Sequence, residues 1–132
     1  MIDFEYEITN NCCIVTKYIG NDIVINIPSE IAKKTVLGIG WNAFSGCSDI
    51  VSITISDNVS FIGYYAFENC TSLKSITIPK SVSIIGSDAF IGCKSLERII
   101  FKGRTKLDGI ELYQDNDGEW KGGCNAEIIF EP

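Results

Sequence analysis

Residues 39–61 read IGWNAFSGCSDIVSITISDNVSF, and residues 62–84 repeat this pattern as IGYYAFENCTSLKSITIPKSVSI. The two copies are identical at 11 of 23 aligned positions, and a third copy, IGSDAFIGCKSLERIIF, begins at Ile85. A fixed period of about 20 to 29 residues indicates one supersecondary unit stacked on its own copies. Each unit buries its apolar side against its neighbours. The period therefore predicts a solenoid.

One segment of each copy alternates as a β-strand does. Ser75-Ile76-Thr77-Ile78 alternates polar and β-branched residues, so every second side chain points inward. Residues 52–55 and 98–101 are the matching segments, and equivalent strands would lie parallel in one sheet. The Ala-Phe pair that precedes each strand indicates a short turn or 3₁₀ piece on the opposite side. The expected fold class is an α/β, strand-dominated solenoid with a parallel sheet on one face.

The pattern IGxxAFxxCxSLxxITIPxSV closely resembles the BspA-like type of leucine-rich repeat. The best copy carries it in Ile62, Gly63, Ala66, Phe67, Cys70, Leu73, Ile76, Ile78, Pro79 and Val82. The resemblance implies a surface or adhesion protein, with protein or glycan ligands and a cell-surface or secreted location. It implies no catalytic residues, because the family has none in common.

A single leucine-rich-repeat domain is expected over residues 1–132. Residues 1–38 would form an N-terminal β cap with a first degenerate coil, residues 39–107 three repeats, and residues 108–132 a C-terminal cap. The caps are needed because an end coil would otherwise expose apolar rows and an open sheet edge.

Details of the two caps follow from their patterns. Phe4, Tyr6 and Ile8 alternate with acidic residues, which predicts a half-buried first strand. Strands are also expected over residues 12–19 and 23–27, and an insert around residues 32–36 would bulge from the first coil. At the other end, Tyr113 follows Phe90 by one full repeat period, which suggests a degenerate fourth coil. Trp120 is expected to cover the final coil.

Charge and hydropathy exclude several partners. The net charge is −6, and the 11 basic residues are dispersed, which argues against nucleic acid and anionic membranes. The longest apolar run has four residues, so no membrane insertion is expected. The start, MIDFE, has neither the basic nor the apolar region of a signal peptide. A cytoplasmic location is therefore the alternative to the cell surface.

Catalytic and metal chemistry have little support. The chain contains no histidine, so Ser-His and Cys-His dyads are unavailable, and no cofactor is expected. Cys47, Cys70 and Cys93 share one repeat position and are interpreted as free, buried thiols, with a zinc site as the alternative. Residues 115–119, DNDGE, open like a calcium loop but lack its final glutamate, so a polar turn is favoured.

The outward face of the repeat sheet is the best candidate binding surface. Its predicted residues are Ser52, Thr54, Ser75, Thr77, Arg98 and Lys102. A solvated face without a ligand is the alternative interpretation. Phe61 and Ile84 share one repeat position and suggest a second, apolar contact surface on the convex side. The preferred function is a non-enzymatic binding module, and the alternative is a structural spacer or self-associating repeat fragment.

Overall fold

The computed structural model describes residues 3–113 and 120–132. The strands of these residues, in chain order, are β1 (Phe4–Thr9), β2 (Cys12–Tyr18), β3 (Val24–Asn26), β4 (Glu30–Ile31), β5 (Lys34–Ile39), β6 (Ser52–Thr54), β7 (Phe61–Ile62), β8 (Ser75–Ile78), β9 (Ile84–Ile85), β10 (Arg98–Lys102), β11 (Glu111–Leu112) and β12 (Glu127–Glu131). The strand-dominated repeat is confirmed. The described residues contain neither an α-helix nor a 3₁₀ piece, so that part of the predicted fold class is not confirmed. None of their segments is a helix that could cross a membrane.

The strands form two sheets, where the sequence predicted one. A five-stranded parallel sheet has the order β3-β6-β8-β10-β12. A seven-stranded sheet has the order β1-β2-β5-β7-β9-β11, with β4 paired to β5. Each complete 23-residue copy contributes one strand to each sheet. The second strand was missed because it is only two residues long, too short to show an alternation.

The expected inward and outward rows of the five-stranded sheet are confirmed. Ile53, Ile76 and Ile99 lie in register on adjacent strands and are at most 1% exposed. Ser52, Ser75 and Arg98 occupy the preceding register positions, so their side chains point to the other side of the sheet. Each buried isoleucine stabilises the fold by about 1.5 to 3 kcal/mol relative to an exposed one.

An aromatic column runs through the centre of the stacked coils. The rings of Tyr18, Phe44, Phe67 and Phe90 stack in this order, with successive centroids 5.5, 5.3 and 5.6 Å apart. Trp120 packs edge-on against Phe90 and is 8% exposed. The phenylalanines therefore fill the centres of the coils, and Trp120 covers the last of them as predicted.

Each repeat turns from the seven-stranded to the five-stranded sheet through a left-handed residue. The equivalent residues Asn42, Tyr65 and Asp88 have φ of 56°, 55° and 56°. Asparagine and aspartate tolerate this conformation, but a bulky side chain at positive φ is strained. Tyr65 is therefore the strained member of this set.

The N-terminal cap corrects two expectations. Strand β1 pairs antiparallel with β2, but Tyr6 and Ile8 are 37% and 46% exposed, so β1 is not the half-buried strand predicted. The expected insert forms a hairpin between β4 and β5, with Ala32 and Lys33 at φ of 53° and 64°. Val36 lies within that hairpin and is fully buried, so the insert contributes to the core.

The C-terminal coil has a different register from the predicted one. Leu112 pairs with Ile85, and the Tyr113 amide donates to the Ile85 carbonyl at 2.9 Å. Tyr113 is therefore equivalent to Gly86, whose amide donates to Ile62 in the same way, and not to Phe90. The step from Gly86 to Tyr113 is longer than the repeat period, because residues 103–110 add an extra turn held by Arg104.

Candidate functional site

The predicted polar residues do come together on one side of the five-stranded sheet. Strands β6, β8 and β10 align Ser52 with Ser75 and Arg98, and align Thr54 with Thr77. Thr54, Arg98 and Lys102 are exposed, whereas Ser52, Ser75 and Thr77 are half-buried. Whether this row binds a ligand stays a prediction.

The adjacent strand β12 changes the charge expected at one end of this row. Glu127 lies in register beside Arg98, and Glu131 lies beside Lys102. The Lys102 Nζ and Glu131 Oε1 atoms are 2.8 Å apart, with side chains 56% and 48% exposed. The positive charge of the Arg98 and Lys102 end is thus offset by two carboxylates, which the sequence alone did not show.

A second candidate site lies on the seven-stranded sheet, and we call it the aromatic groove. Its side chains are Trp41, Phe61, Tyr64, Ile84 and Tyr113, with Gly63 and Gly86 in its floor. It is a shallow, open groove of about 270 Å³. Its residues come from different coils, so stacking of the repeats assembles it.

The rings of the groove contact one another across coils. Trp41 is 69% exposed, and its ring meets that of Tyr64 edge-on at a centroid distance of 5.6 Å. The ring of Tyr113 lies 6.4 Å from that of Tyr64. Trp41, Tyr64 and Ser87 occupy one repeat position. Tyr113, from the last coil, thus extends the aromatic row where the third copy carries a serine.

Two glycines make the floor of the groove flat. A Cβ on Gly86 would lie 2.6 Å from the Tyr64 amide nitrogen, and one on Gly63 would lie 2.9 Å from the Gly40 carbonyl carbon. The coils are too close there for any side chain. The Gly63 and Gly86 amides donate to the Ile39 and Ile62 carbonyls at 2.8 Å, so they are not free for a ligand.

The opposite wall of the groove is formed by Phe61 and Ile84, which are in register on β7 and β9. Glu111 on β11 is in register with Ile84 and lies adjacent to the groove. Phe61 and Ile84 were predicted to be an apolar contact surface; here they are half-buried and form this wall. The Tyr113 hydroxyl donates to Glu111 Oε2 at 3.0 Å, and this hydrogen bond raises the pKa of Tyr113.

The sequence did not identify Trp41, Tyr64 or Tyr113 as site residues. Trp41 and Tyr64 occupy a variable repeat position, and Tyr113 was assigned to the wrong register. A detectable signal did exist: a large aromatic side chain directly follows the repeated glycine, Gly40 or Gly63, in each of the first two copies. That position lies in a turn and borders solvent, where an aromatic residue is not needed for the core.

The repeated cysteines form part of the core. Cys70 and Cys93 are buried, and each Sγ donates to a phenylalanine carbonyl of the preceding coil, Cys70 to Phe44 at 3.1 Å and Cys93 to Phe67 at 3.0 Å. The interaction with the neighbouring Cys93 thiol and burial raise the pKa of Cys70. Cys47 is only half-buried, unlike the fully buried position expected.

The described part of the chain shows no group of three or more His, Cys, Asp or Glu residues that fits a metal ion. The calcium-like segment at residues 115–119 lies outside the described residues. The polar row and the aromatic groove are the two candidate sites that the described residues form.

The repeat pattern matches a known family over most of its length. The BspA type leucine-rich repeat region matches residues 8–114 in six copies. This chain belongs to that family. Leucine-rich repeats commonly mediate protein interactions. Among the curated proteins, none matches the chain.

Three solved bacterial structures have a similar fold. A leucine rich cell surface protein from Faecalibacterium prausnitzii A2-165 aligns with a TM-score of 0.73 and 24% identity, over 97% of this chain and 41% of that one. A leucine-rich repeat protein from Bacteroides capillosus ATCC 29799 has a TM-score of 0.78 and 24% identity, over 98% and 95% of the two chains. One from Bacteroides ovatus ATCC 8483 has a TM-score of 0.73 and 28% identity, over 100% and 40%. This chain thus spans less than half the length of two of them.

Proposed function

We propose that this BspA-type chain is a non-enzymatic recognition module that binds its ligand in the aromatic groove. The exposure of Trp41 carries the proposal: this residue is 69% exposed, its ring contacts that of Tyr64, and the Tyr64 ring in turn contacts that of Tyr113. An indole left in water forgoes the free energy that burial of its apolar surface would give. Exposed apolar patches of this kind mark interaction sites.

The rigidity of the groove also supports the proposal. Phe61 and Ile84 stand on the paired strands β7 and β9, and the floor of the groove is backbone in close contact with the next coil. A ligand would therefore meet groups that are already fixed, which lowers the entropy cost of binding. Tryptophan and tyrosine add contact area with few rotatable bonds.

The polar row of Ser52, Thr54, Ser75, Thr77, Arg98 and Lys102 is the second proposed surface of the same module. It offers aligned hydroxyl groups, but its charged end is offset by Glu127 and Glu131. A protein or glycan ligand is proposed for either surface. A cell-surface or secreted location is proposed from the family and from the similar protein of Faecalibacterium prausnitzii.

The test compares three variants in one screen of glycan and protein ligands. Trp41→Ser removes the exposed ring and replaces it with serine, the residue that the third copy has at the equivalent position, Ser87. Tyr65→Asn is the matched control, because Tyr65 is 38% exposed but does not line the groove. Asparagine is the residue that the first copy has at the equivalent position, Asn42. Ligands that Trp41→Ser loses and Tyr65→Asn keeps would support the groove. Ligands that still bind the Trp41→Ser variant but no longer bind the Thr77→Glu variant would assign recognition to the polar row instead.

A structural role is the alternative function, and one observation favours it. Ile128 and Phe130 on β12 continue the inward rows, yet they are only half-buried, whereas Ile99 and Phe101 beside them are fully buried. An apolar end of this kind suits stacking on another repeat or another copy. Light-scattering mass measurement over a range of concentrations tests it: a mass that stays monomeric at high concentration argues against self-association.

A further inference from the structure

We infer that the ligand of the aromatic groove is a neutral carbohydrate, held by stacking of its sugar rings on Trp41 and Tyr64. This inference rests on the proposed function, because it names the ligand class of the same site. It follows from the size of the groove, from the hydrogen-bonding groups that it presents and from its charge.

The size of the groove suits a small ligand. At about 270 Å³ it is near the lower end of small-molecule sites, which span about 300 to 1,000 Å³. A stable protein interface buries about 800 Å² on each partner. The five partly exposed side chains of the groove, two on short strands and three just beyond strand ends, present much less than this. The groove alone is therefore too small for a second copy of the chain.

The floor of the groove disfavours a peptide that adds a strand. Strand addition needs free backbone donors and acceptors, but the Gly63 and Gly86 amides are already bonded to the preceding coil. What the floor offers is a flat surface without side chains, flanked by ring faces. A sugar ring has an apolar face of C–H groups and an edge of hydroxyl groups, so it matches a flat apolar surface.

The rim of the groove supplies partners for sugar hydroxyls. The Tyr113 hydroxyl and the Glu111 carboxylate are joined by a 3.0 Å hydrogen bond and are both exposed. The Tyr113 hydroxyl, whose one proton goes to Glu111, still accepts, the Glu111 carboxylate accepts, and the indole N–H of Trp41 donates. Hydroxyl groups need donors and acceptors together, whereas a proline-rich peptide offers only carbonyl acceptors.

The charge of the site favours a neutral ligand. The described lining residues are all uncharged, the adjacent Glu111 is acidic, and the chain has a net charge of −6. Anionic glycans are normally bound by Arg or Lys, which no described lining residue provides. Uronic acid polymers and sulfated sugars would be repelled, so uncharged sugars are expected to bind best.

The experiment titrates the whole chain with cellohexaose, maltohexaose and chitohexaose to millimolar concentration. Polygalacturonate and a proline decamer are the comparison ligands. Tryptophan fluorescence is a local probe, because one of the two tryptophans, Trp120, is 8% exposed, whereas Trp41 is 69% exposed. We expect a saturable blue shift with at least one neutral sugar, and protection of Trp41 from acrylamide quenching. Saturation-transfer NMR gives an independent affinity for variants that lack Trp41.

The variants separate the ligand class from the site. Affinity for the neutral sugar should fall about tenfold or more in Trp41→Ser, as for removal of a ring at the centre of an interface. It should stay within about twofold of wild type in Tyr65→Asn. Sugar binding that survives Trp41→Ser would overturn the inference, and so would tighter binding of polygalacturonate than of any neutral sugar.

The remaining outcomes distinguish this inference from the proposed function. If the proline decamer binds in a Trp41-dependent way and no neutral sugar binds, the carbohydrate inference is wrong and the groove remains a recognition site. If no probe binds, and every ligand found in the broader screen binds the Trp41→Ser variant as well as wild type, both the carbohydrate inference and the proposed function are wrong.

Discussion

Replacement of Phe67 by alanine tests whether the aromatic column holds the repeats together. The Phe67 ring is fully buried and stacks on Phe44 at 5.3 Å and on Phe90 at 5.6 Å. Truncation of a buried phenylalanine costs about 3 to 5 kcal/mol, mostly through the lost burial and the cavity. Two stacked pairs are lost as well, each contributing about 0.5 to 1.5 kcal/mol. The cost should therefore lie at the upper end, near about 5 kcal/mol.

This loss is large relative to the total stability of a domain, which is typically about 5 to 15 kcal/mol. Thermal unfolding of the full chain, followed by circular dichroism, should show a Tm lower by about 15 °C or more. Phe67→Leu fills most of the space without the ring stacking, and should cost about 1 to 2 kcal/mol. Thr54→Ala, at an exposed strand position, is the control and should change the free energy of unfolding by less than about 0.5 kcal/mol.

The result that would refute the reasoning is a Phe67→Ala protein that melts within about 2 °C of wild type. The coils would then be held by the isoleucine rows and the backbone ladders alone. Should Phe67→Ala not fold, Phe67→Leu still decides, because a cost equal to that of Thr54→Ala would show that the stacked ring is dispensable.

Three further predictions concern strain, close packing and thiols. Tyr65→Asn should stabilise the chain by about 0.5 to 1 kcal/mol, because asparagine tolerates the positive φ of this turn, and a lower urea midpoint would contradict this. Gly86→Ala should destabilise by more than about 2 kcal/mol in the same assay, since its Cβ would lie 2.6 Å from a backbone nitrogen; an unchanged midpoint would show that the coils can separate. Cys70 should react slowly with a thiol reagent at pH 8 until urea is added, because its raised pKa and its burial keep it a protonated thiol; rapid native labelling, read by peptide mass spectrometry, would disprove this.

The five-stranded sheet was predictable because its strands alternate in a clear period of two. Ile53, Ile76 and Ile99 recur once in every copy and point inward, which determines the opposite direction for Ser52, Ser75 and Arg98. The two-residue strands β7, β9 and β11 of the seven-stranded sheet were not predictable in this way. Strands such as Phe61–Ile62 have one outward and one inward residue each, so no alternation can be seen in them.

The aromatic groove was hidden for two physical reasons. Trp41 and Tyr64 vary between copies, and a search for identical positions selects the residues that build the core, not those that face solvent. Tyr113 enters the groove only because residues 103–110 lengthen the last step beyond the repeat period, and the strict period had assigned it elsewhere. The charge at the Lys102 end was likewise missed, since Glu131 meets it only through the pairing of distant strands.

The ring contacts of Tyr64 constrain the number of repeats in the chain. Its ring meets Trp41 on one side and Tyr113 on the other, so the three rings require a fixed count of coils between them. Duplication of one complete copy by recombination after residue 84 would leave every core row continuous. It would nevertheless move Tyr113 about 4.8 Å further from Tyr64 for each added strand. Such a duplication would preserve the fold but separate the rings of the groove. The core would therefore permit a change in the number of repeats, whereas selection for ligand binding in the groove would oppose it.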